Sequence, residues 1–176
     1  MRLLTVGHGT LSAGELTELL TGAGVCALVD VRTAPGSRRN PQFNRVELAR
    51  WLPEAGITYR WCQALGGFRK VRPDSSNVVL RNDSFRGYAD YMESSEFALA
   101  LDELLDGART AAGPSCVMCA ETLWWRCHRR LIADAAVVLK GAEVEHLMHS
   151  GQLRAHVPTP GVRRRDGYLV YDVVAG

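Results

Sequence analysis

Val25-Cys26-Ala27-Leu28-Val29-Asp30-Val31 is an almost unbroken apolar run, with Gly24 before it and Arg32-Thr33-Ala34-Pro35 after it. It has strand length, and it is apolar on both alternations. A strand reads that way when both of its faces are covered, as in a parallel sheet. Upstream, Leu3-Leu4-Thr5-Val6 reads as a strand that ends in the turn Gly7-His8-Gly9-Thr10. Ser12-Ala13-Gly14-Glu15 has the spacing of a capping box and opens a helix. Glycine at 22 and 24 closes that helix. Residues 3–31 therefore predict a βαβ unit.

The alternation continues downstream. Residues 32–45 hold two prolines and a glycine and read as a loop. Asn44 with Glu47 opens a helix to about Ala55, and Ile57–Trp61 alternates like a strand. Residues 62–82 are long, polar and glycine-bearing, and predict a loop or lid over the site. Helices are expected over Ser84–Met92 and Glu96–Ala108, a strand over 115–119, a helix from about 126 to 139 and a strand over Glu143–Leu147. Residues 150–166 read as an irregular basic segment, followed by an alternating strand from Tyr168 to Val173. The expected fold is α/β: one domain over 1–176, with a mostly parallel β-sheet flanked by helices on both faces and room for an antiparallel C-terminal strand.

At 176 residues, 47% apolar and 23% charged, the chain has the size and balance of a globular domain. No apolar run approaches the roughly 18 residues that span a bilayer. The N-terminus does not read as a secretory signal, so a cytoplasmic location is expected. Five irregularly spaced cysteines do not suggest a disulfide framework. The net charge is only +2, yet the basic residues are nineteen Arg and two Lys. Arginine grips phosphate and carboxylate in a planar fork.

Chemistry concentrates in Cys119-Ala120-Glu121-Thr122-Leu123-Trp124-Trp125-Arg126-Cys127-His128-Arg129-Arg130, at the expected turn from strand to helix. Cys119 is either a nucleophile or metal ligand, or a small buried hydrophobe. Glu121 is the best general acid–base, unless it merely pairs with Arg126 or Arg129. His128 could orient Glu121, bind metal or shuttle a proton, or simply satisfy a carbonyl. At about 100° per residue, Cys127 and His128 border the apolar stripe of Leu131, Ile132 and Ala135. Arg129 then points away and Arg130 lies on the flank. The seven residues between Cys119 and Cys127, followed directly by His128, do not match familiar zinc spacings. Adjacent Cys-His ligands are also awkward on one helical turn. Six residues separate Cys119 from Arg126, one too many for a phosphatase loop.

If the strands before His8, Arg32 and Cys119 are parallel, those three residues emerge together. Arg32, Arg38 and Arg39 would then supply cations for an anion, unless the loop is only a solvated one. Trp124 could stack a base, or cover a hydrophobic seam. Gly66-Gly67 would let backbone approach a ligand closely.

These motifs together resemble the DUF488 family: Gly7-His8-Gly9-Thr10, Asp30-Val31-Arg32, Pro35 to Asn44, Leu65-Gly66-Gly67, and Cys119-Ala120-Glu121 with Cys127-His128-Arg129-Arg130. The resemblance implies a small α/β domain and brings no known reaction. The chain has Gly9 where many relatives have serine, and its 122–125 spacer is more apolar than theirs.

The leading expectation is an enzyme acting on a phosphate-bearing substrate, a nucleotide or nucleic acid. Cys119, Glu121, His128 and His8 are its candidate catalytic residues. Arg32, Arg38, Arg39, Arg129, Arg130, Gly66, Gly67 and Trp124 are its candidate binding residues. No cofactor is expected, and no membrane partner. The alternatives are a non-catalytic nucleotide- or nucleic-acid-binding module, and thiol chemistry or metal binding at Cys119, Cys127 and His128.

Overall fold

A computed structural model describes residues 1–173. The apolar runs form one six-stranded sheet. β1 (Arg2–Gly7), β2 (Ala27–Asp30), β3 (Thr58–Trp61), β4 (Ser115–Cys119) and β5 (Glu143–Leu147) are parallel, and β6 (Leu153–Ala155) lies antiparallel to β5. The order is β3-β2-β4-β1-β5-β6. Every residue of β4 is buried, as its place between β1 and β2 requires.

Successive side chains of a strand point to opposite faces, and the sheet divides two cores accordingly. Leu4, Val6, Leu28 and Met118 pack with Leu16 and Leu20 of α1 (Ala13–Gly22) and with Leu48 and Leu52 of α2 (Arg45–Glu54). Leu3, Val29 and Val117 pack with the other three helices: α3 (Asp83–Tyr91), α4 (Ser95–Thr110) and α5 (Arg129–Lys140). The capping box forms, with Glu15 N donating to Ser12 Oγ and Ser12 N to Glu15 Oε2. Asn44 precedes α2, but its side chain accepts from Ser37 N instead of capping the helix. It thereby ties the arginine loop to α2.

Two expectations are corrected. The segment 150–166 is not irregular throughout: it contains β6 and β7 (Val162–Arg165). β7 pairs antiparallel with β8 (Tyr168–Tyr171) across Asp166-Gly167, whose φ angles are +48° and +91°. An Asp-Gly pair with both φ positive is a strong hairpin signal. The C-terminal strand therefore forms its own two-stranded sheet, with Leu169, Val170 and Tyr171 buried. The second correction concerns α5, which starts at Arg129 rather than near 126. Trp124–Arg126 form a separate 3-10 turn, and Cys127 is extended, with φ −122° and ψ 148°.

Within residues 62–82, Gln63–Leu65 form a 3-10 turn. Further on, Asn77 is fully buried, with Nδ2 donating to Asp90 Oδ1 at 2.8 Å and Oδ1 accepting from Tyr171 N at 3.0 Å. The middle of this segment is thus anchored to α3 and β8, and only its ends reach the site. No helix among the described residues is long and apolar enough to cross a membrane.

Candidate active site

The ladder of the central strands continues past their ends. His8 N donates to Cys119 O, Gly9 N to Ala120 O and Val31 N to Met118 O. His8, Arg32 and Cys119 consequently leave the sheet side by side. After β1 and β2 the chain goes to the face of α1 and α2; after β4 it goes to the face of α5. Such a divergence at the carboxyl ends of parallel strands opens a crevice. A cleft of about 650 Å³ lies there. Cys119, Cys127 and His128 line it together with Glu121, Arg126, Phe68 and Phe85.

The sulfurs of Cys119 and Cys127 and Nδ1 of His128 all lie within 4.8 Å of one another. Nδ1 is 4.0 Å from Cys119 Sγ and 3.6 Å from Cys127 Sγ. His128 Nε2 is 3.0 Å from the main-chain oxygen of Val31. A carbonyl only accepts, so Nε2 carries a hydrogen; a proton that leaves the ring leaves from Nδ1, and the lone pair it uncovers faces the sulfurs. Tyr88 packs on the imidazole, with ring centroids 5.0 Å apart. A Cβ added to Gly67 would lie 3.1–3.5 Å from three atoms of the ring, that is, over its face. Gly67 therefore packs against the ring and leaves the lone-pair direction open.

The Cys119 thiol is held well below its ordinary pKa by the facing Cys127 thiol, with His128 and the Glu121 amide adding to this against the effect of burial. Burial pushes the Cys127 thiol up, and an anionic neighbour at Cys119 pushes it further. The Arg129 amide points at the Cys127 sulfur from 3.5 Å.

The other candidates divide into groups at the cleft and groups bound up elsewhere. Glu121 is exposed at the cleft, where its Oε1 accepts from Leu123 N at 3.1 Å. Among the described residues it makes no ion pair with Arg126 or Arg129 within 4 Å. Arg32 lines the cleft, but its fork grips Asp30 through Nε at 2.9 Å and Nη2 at 2.6 Å. Its Nη1 faces His8 Nε2 at 3.3 Å. His8 donates Nδ1–H to Gly9 O, so both ring nitrogens are engaged, and burial lowers its pKa.

Arg129 does not point away. It is 1% exposed, and its guanidinium donates to the main-chain oxygens of Glu121 and Thr122. Because the helix starts three residues later than the periodicity suggests, its first side chain folds back under the loop and holds Glu121 in place. Arg130 donates to Thr159 Oγ1 at 2.8 Å, outside the cleft lining. Arg38 and Arg39 are exposed, also outside it. Gly66 packs against Thr33 rather than lining the cleft.

Trp124 stacks on His146, with centroids 4.0 Å apart and planes 6° apart. Of the two readings, a base stack or a covered seam, the ring's contact with His146 takes up one face from within. His146 belongs to a buried chain of hydrogen bonds: Thr5 Oγ1 to His146 Nδ1 at 2.7 Å, His146 Nε2 to His156 Nδ1 at 3.0 Å, and His156 Nε2 to Asp134 Oδ1 at 2.8 Å. Asp134 also accepts from Tyr171 OH. The stack clips the middle of the site loop to this network.

Sequence reasoning missed Phe68 and Phe85 and weighed Arg126 only as a partner for Glu121 or as part of a phosphatase loop. Phe68 directly follows Gly66-Gly67, is 89% exposed and has φ +58°. A bulky residue with positive φ is a genuine outlier. Arg126 has no ion-pair partner among the described residues, and it lines the cleft.

The fold and site define a doubly wound α/β domain with a cysteine–histidine cleft at its switch point. The chain belongs to the DUF488 family, a domain of unknown function, whose model matches residues 12–136. No curated protein and no solved structure matches it.

Proposed function

We infer that the protein is an enzyme acting on a phosphate-bearing small molecule of nucleotide size. One observation carries the reading: Cys119, Cys127 and His128 converge on one wall of a cleft that Glu121 also lines. Clusters of this kind in concave sites are where reactive groups are held in place. The trio supplies the nucleophilic centre, and Glu121 takes up and returns the proton. A volume of about 650 Å³ suits a ligand of that size. Arg126 offers a charge-assisted bond to phosphate, and the faces of Phe68 and Phe85 suit a ring.

The test is a screen of nucleotides and sugar phosphates for turnover, repeated with Glu121→Gln. Loss of turnover in a variant that unfolds at the wild-type urea concentration supports the role. A folded, fully active Glu121→Gln variant overturns it.

The exposed Arg38 and Arg39 favour a second reading, a non-catalytic module that binds nucleotides or nucleic acid. That module would bind with strong salt dependence, insensitive to Glu121→Gln and lost in Arg38→Ala plus Arg39→Ala.

A further inference from the structure

Cys119 and Cys127 offer two sulfurs, and His128 offers one nitrogen whose lone pair is fixed toward them by the bond from Nε2 to Val31 O. Histidine ligands of metals characteristically donate their second ring N–H to a carbonyl or carboxylate, which sets the tautomer and the ring angle. Zinc binds sulfur at about 2.3 Å and nitrogen at about 2.0–2.1 Å, so tetrahedral geometry puts neighbouring donors roughly 3.5–3.8 Å apart. The distances of 3.6 Å and 4.0 Å from Nδ1 to the two sulfurs require shifts of only tenths of an ångström, and the sulfurs, within 4.8 Å of each other, have at most about 1 Å to close. Adjacent Cys-His ligands are not awkward here. Cys127 is extended and lies ahead of the helix, so its side chain and that of His128 turn toward the same point.

We propose that Cys119, Cys127 and His128 bind a zinc ion whose fourth position opens into the cleft. Two thiolates and an imidazole suit zinc over the harder divalent cations. Three protein ligands with one open position are the pattern of catalytic rather than structural sites. Among the described residues no fourth cysteine, histidine or carboxylate completes the set.

Glu121 follows the first ligand by two residues and is not itself a ligand. This ligand-x-Glu spacing also occurs in zinc deaminases. The ion gives the proposed enzyme its nucleophile, and this part rests on the reading of the cleft as a reaction site. A water in the fourth position loses a proton to Glu121, and the hydroxide oxygen bonds to the electrophilic centre of the substrate. The leaving-group bond breaks, and Glu121 returns the proton to the leaving group. The net change is hydrolysis with water as co-reactant.

The experiment uses the full chain, expressed with added zinc and freed of loose metal by gel filtration. Mass spectrometry of the metal should find about one zinc per chain, falling to below about a tenth in Cys127→Ser and in His128→Ala. Cys26→Ser, at a cysteine that bonds Gly113 N away from the cleft, should keep its zinc. Two readings on the wild type cover variants that fail to fold. Cobalt(II) added to chelator-treated, reduced protein should give thiolate-to-metal charge transfer and the intense visible bands of tetrahedral coordination. Zinc should also slow iodoacetamide labelling of Cys119 and Cys127 at least tenfold, and leave Cys26 unchanged.

Wild-type protein that binds less than about a tenth of an equivalent of zinc, an octahedral cobalt spectrum, or equal labelling with and without zinc overturns the site. One zinc per chain with no turnover upholds the metal site and overturns the enzymatic reading. Glu121-dependent turnover in zinc-free protein upholds the enzymatic reading and overturns the ion as the source of its nucleophile.

Discussion

His128 donates Nε2–H to the main-chain oxygen of Val31 at 3.0 Å, and this bond from the start of α5 to the end of β2 aims Nδ1 at the two site cysteines. His128→Ala leaves that oxygen unpaired. Urea unfolding of chelator-treated protein should show a loss of about 1–2 kcal/mol. A rise in Tm on adding zinc should be present in the wild type and absent in the variant, because only a metal bound to the folded state stabilises it.

Gly7 faces the loop that follows β4. A Cβ there would lie 1.9 Å from the Glu121 main-chain oxygen and 2.6 Å from its carbon. Backbone has to move to admit it. Gly7→Ala should cost about 3 kcal/mol or more and reduce binding at the cleft. Gly107, inside α4 with nothing within 4 Å of its added Cβ, is the control. Gly107→Ala should stabilise by about 1 kcal/mol, measured by the same denaturant series.

Arg129 tests whether the loop is held from below. Arg129→Met leaves two loop carbonyls without donors and should cost about 2–4 kcal/mol. Arg129→Lys lacks the fork that spans both oxygens and should recover only part of the loss. Faster amide exchange at residues 121–124 in Arg129→Lys would report the loosened loop directly.

The buried histidine pair sets an acid limit. His146 is pushed down from 6.5 to about 3, chiefly by burial, with His156 and then Arg129 adding to the effect. Between these values the unfolded chain takes up a proton that the folded chain does not. Stability from this group is therefore complete above pH 6.5 and falls as the pH drops toward 3. The slope reaches about 1.4 kcal/mol per pH unit within that window. His146→Gln should flatten the slope of unfolding free energy against pH between 6 and 4. An unchanged slope would assign the acid sensitivity to other groups.

Phe68 holds a left-handed backbone while its ring faces solvent. Phe68→Gly removes that strain and should stabilise the free protein by about 1 kcal/mol. The same variant should weaken ring-bearing phosphates more than inorganic phosphate, as read by calorimetry.

Much of the architecture was legible in the sequence. The apolar runs at 3–6, 25–31 and 115–119, with helical patterns between them, carry the parallel sheet. His8, Arg32 and Cys119 each end one of those runs, and so their meeting could be foreseen. Helical periodicity hid the rest. Counting back from Leu131 and Ile132 extends the helix through Cys127, whereas the 3-10 turn at Trp124–Arg126 breaks it and leaves Cys127 extended. Once the helix starts at Arg129, a residue assigned to solvent becomes a buried strut. The partner of Trp124 was illegible for a different reason: His146 lies on a distant strand, and no local pattern announces a stack across the fold. The hairpin at Asp166-Gly167 did have a local signal, which the surrounding arginines obscured.

The place of β4 between β1 and β2 bears on how the molecule assembles during synthesis. β1 and β2 leave the ribosome with no hydrogen bonds to each other, and their shared neighbour is residues 115–119. A nascent chain that stops short of this segment can zip β2 to β3 and must leave β1 unpaired. Closure of the sheet waits on a contact distant in sequence, which is the slow kind. The same late segment carries Cys119 at its end, so the joining of β1 to β2 and the placing of the first cysteine of the cleft come in a single event.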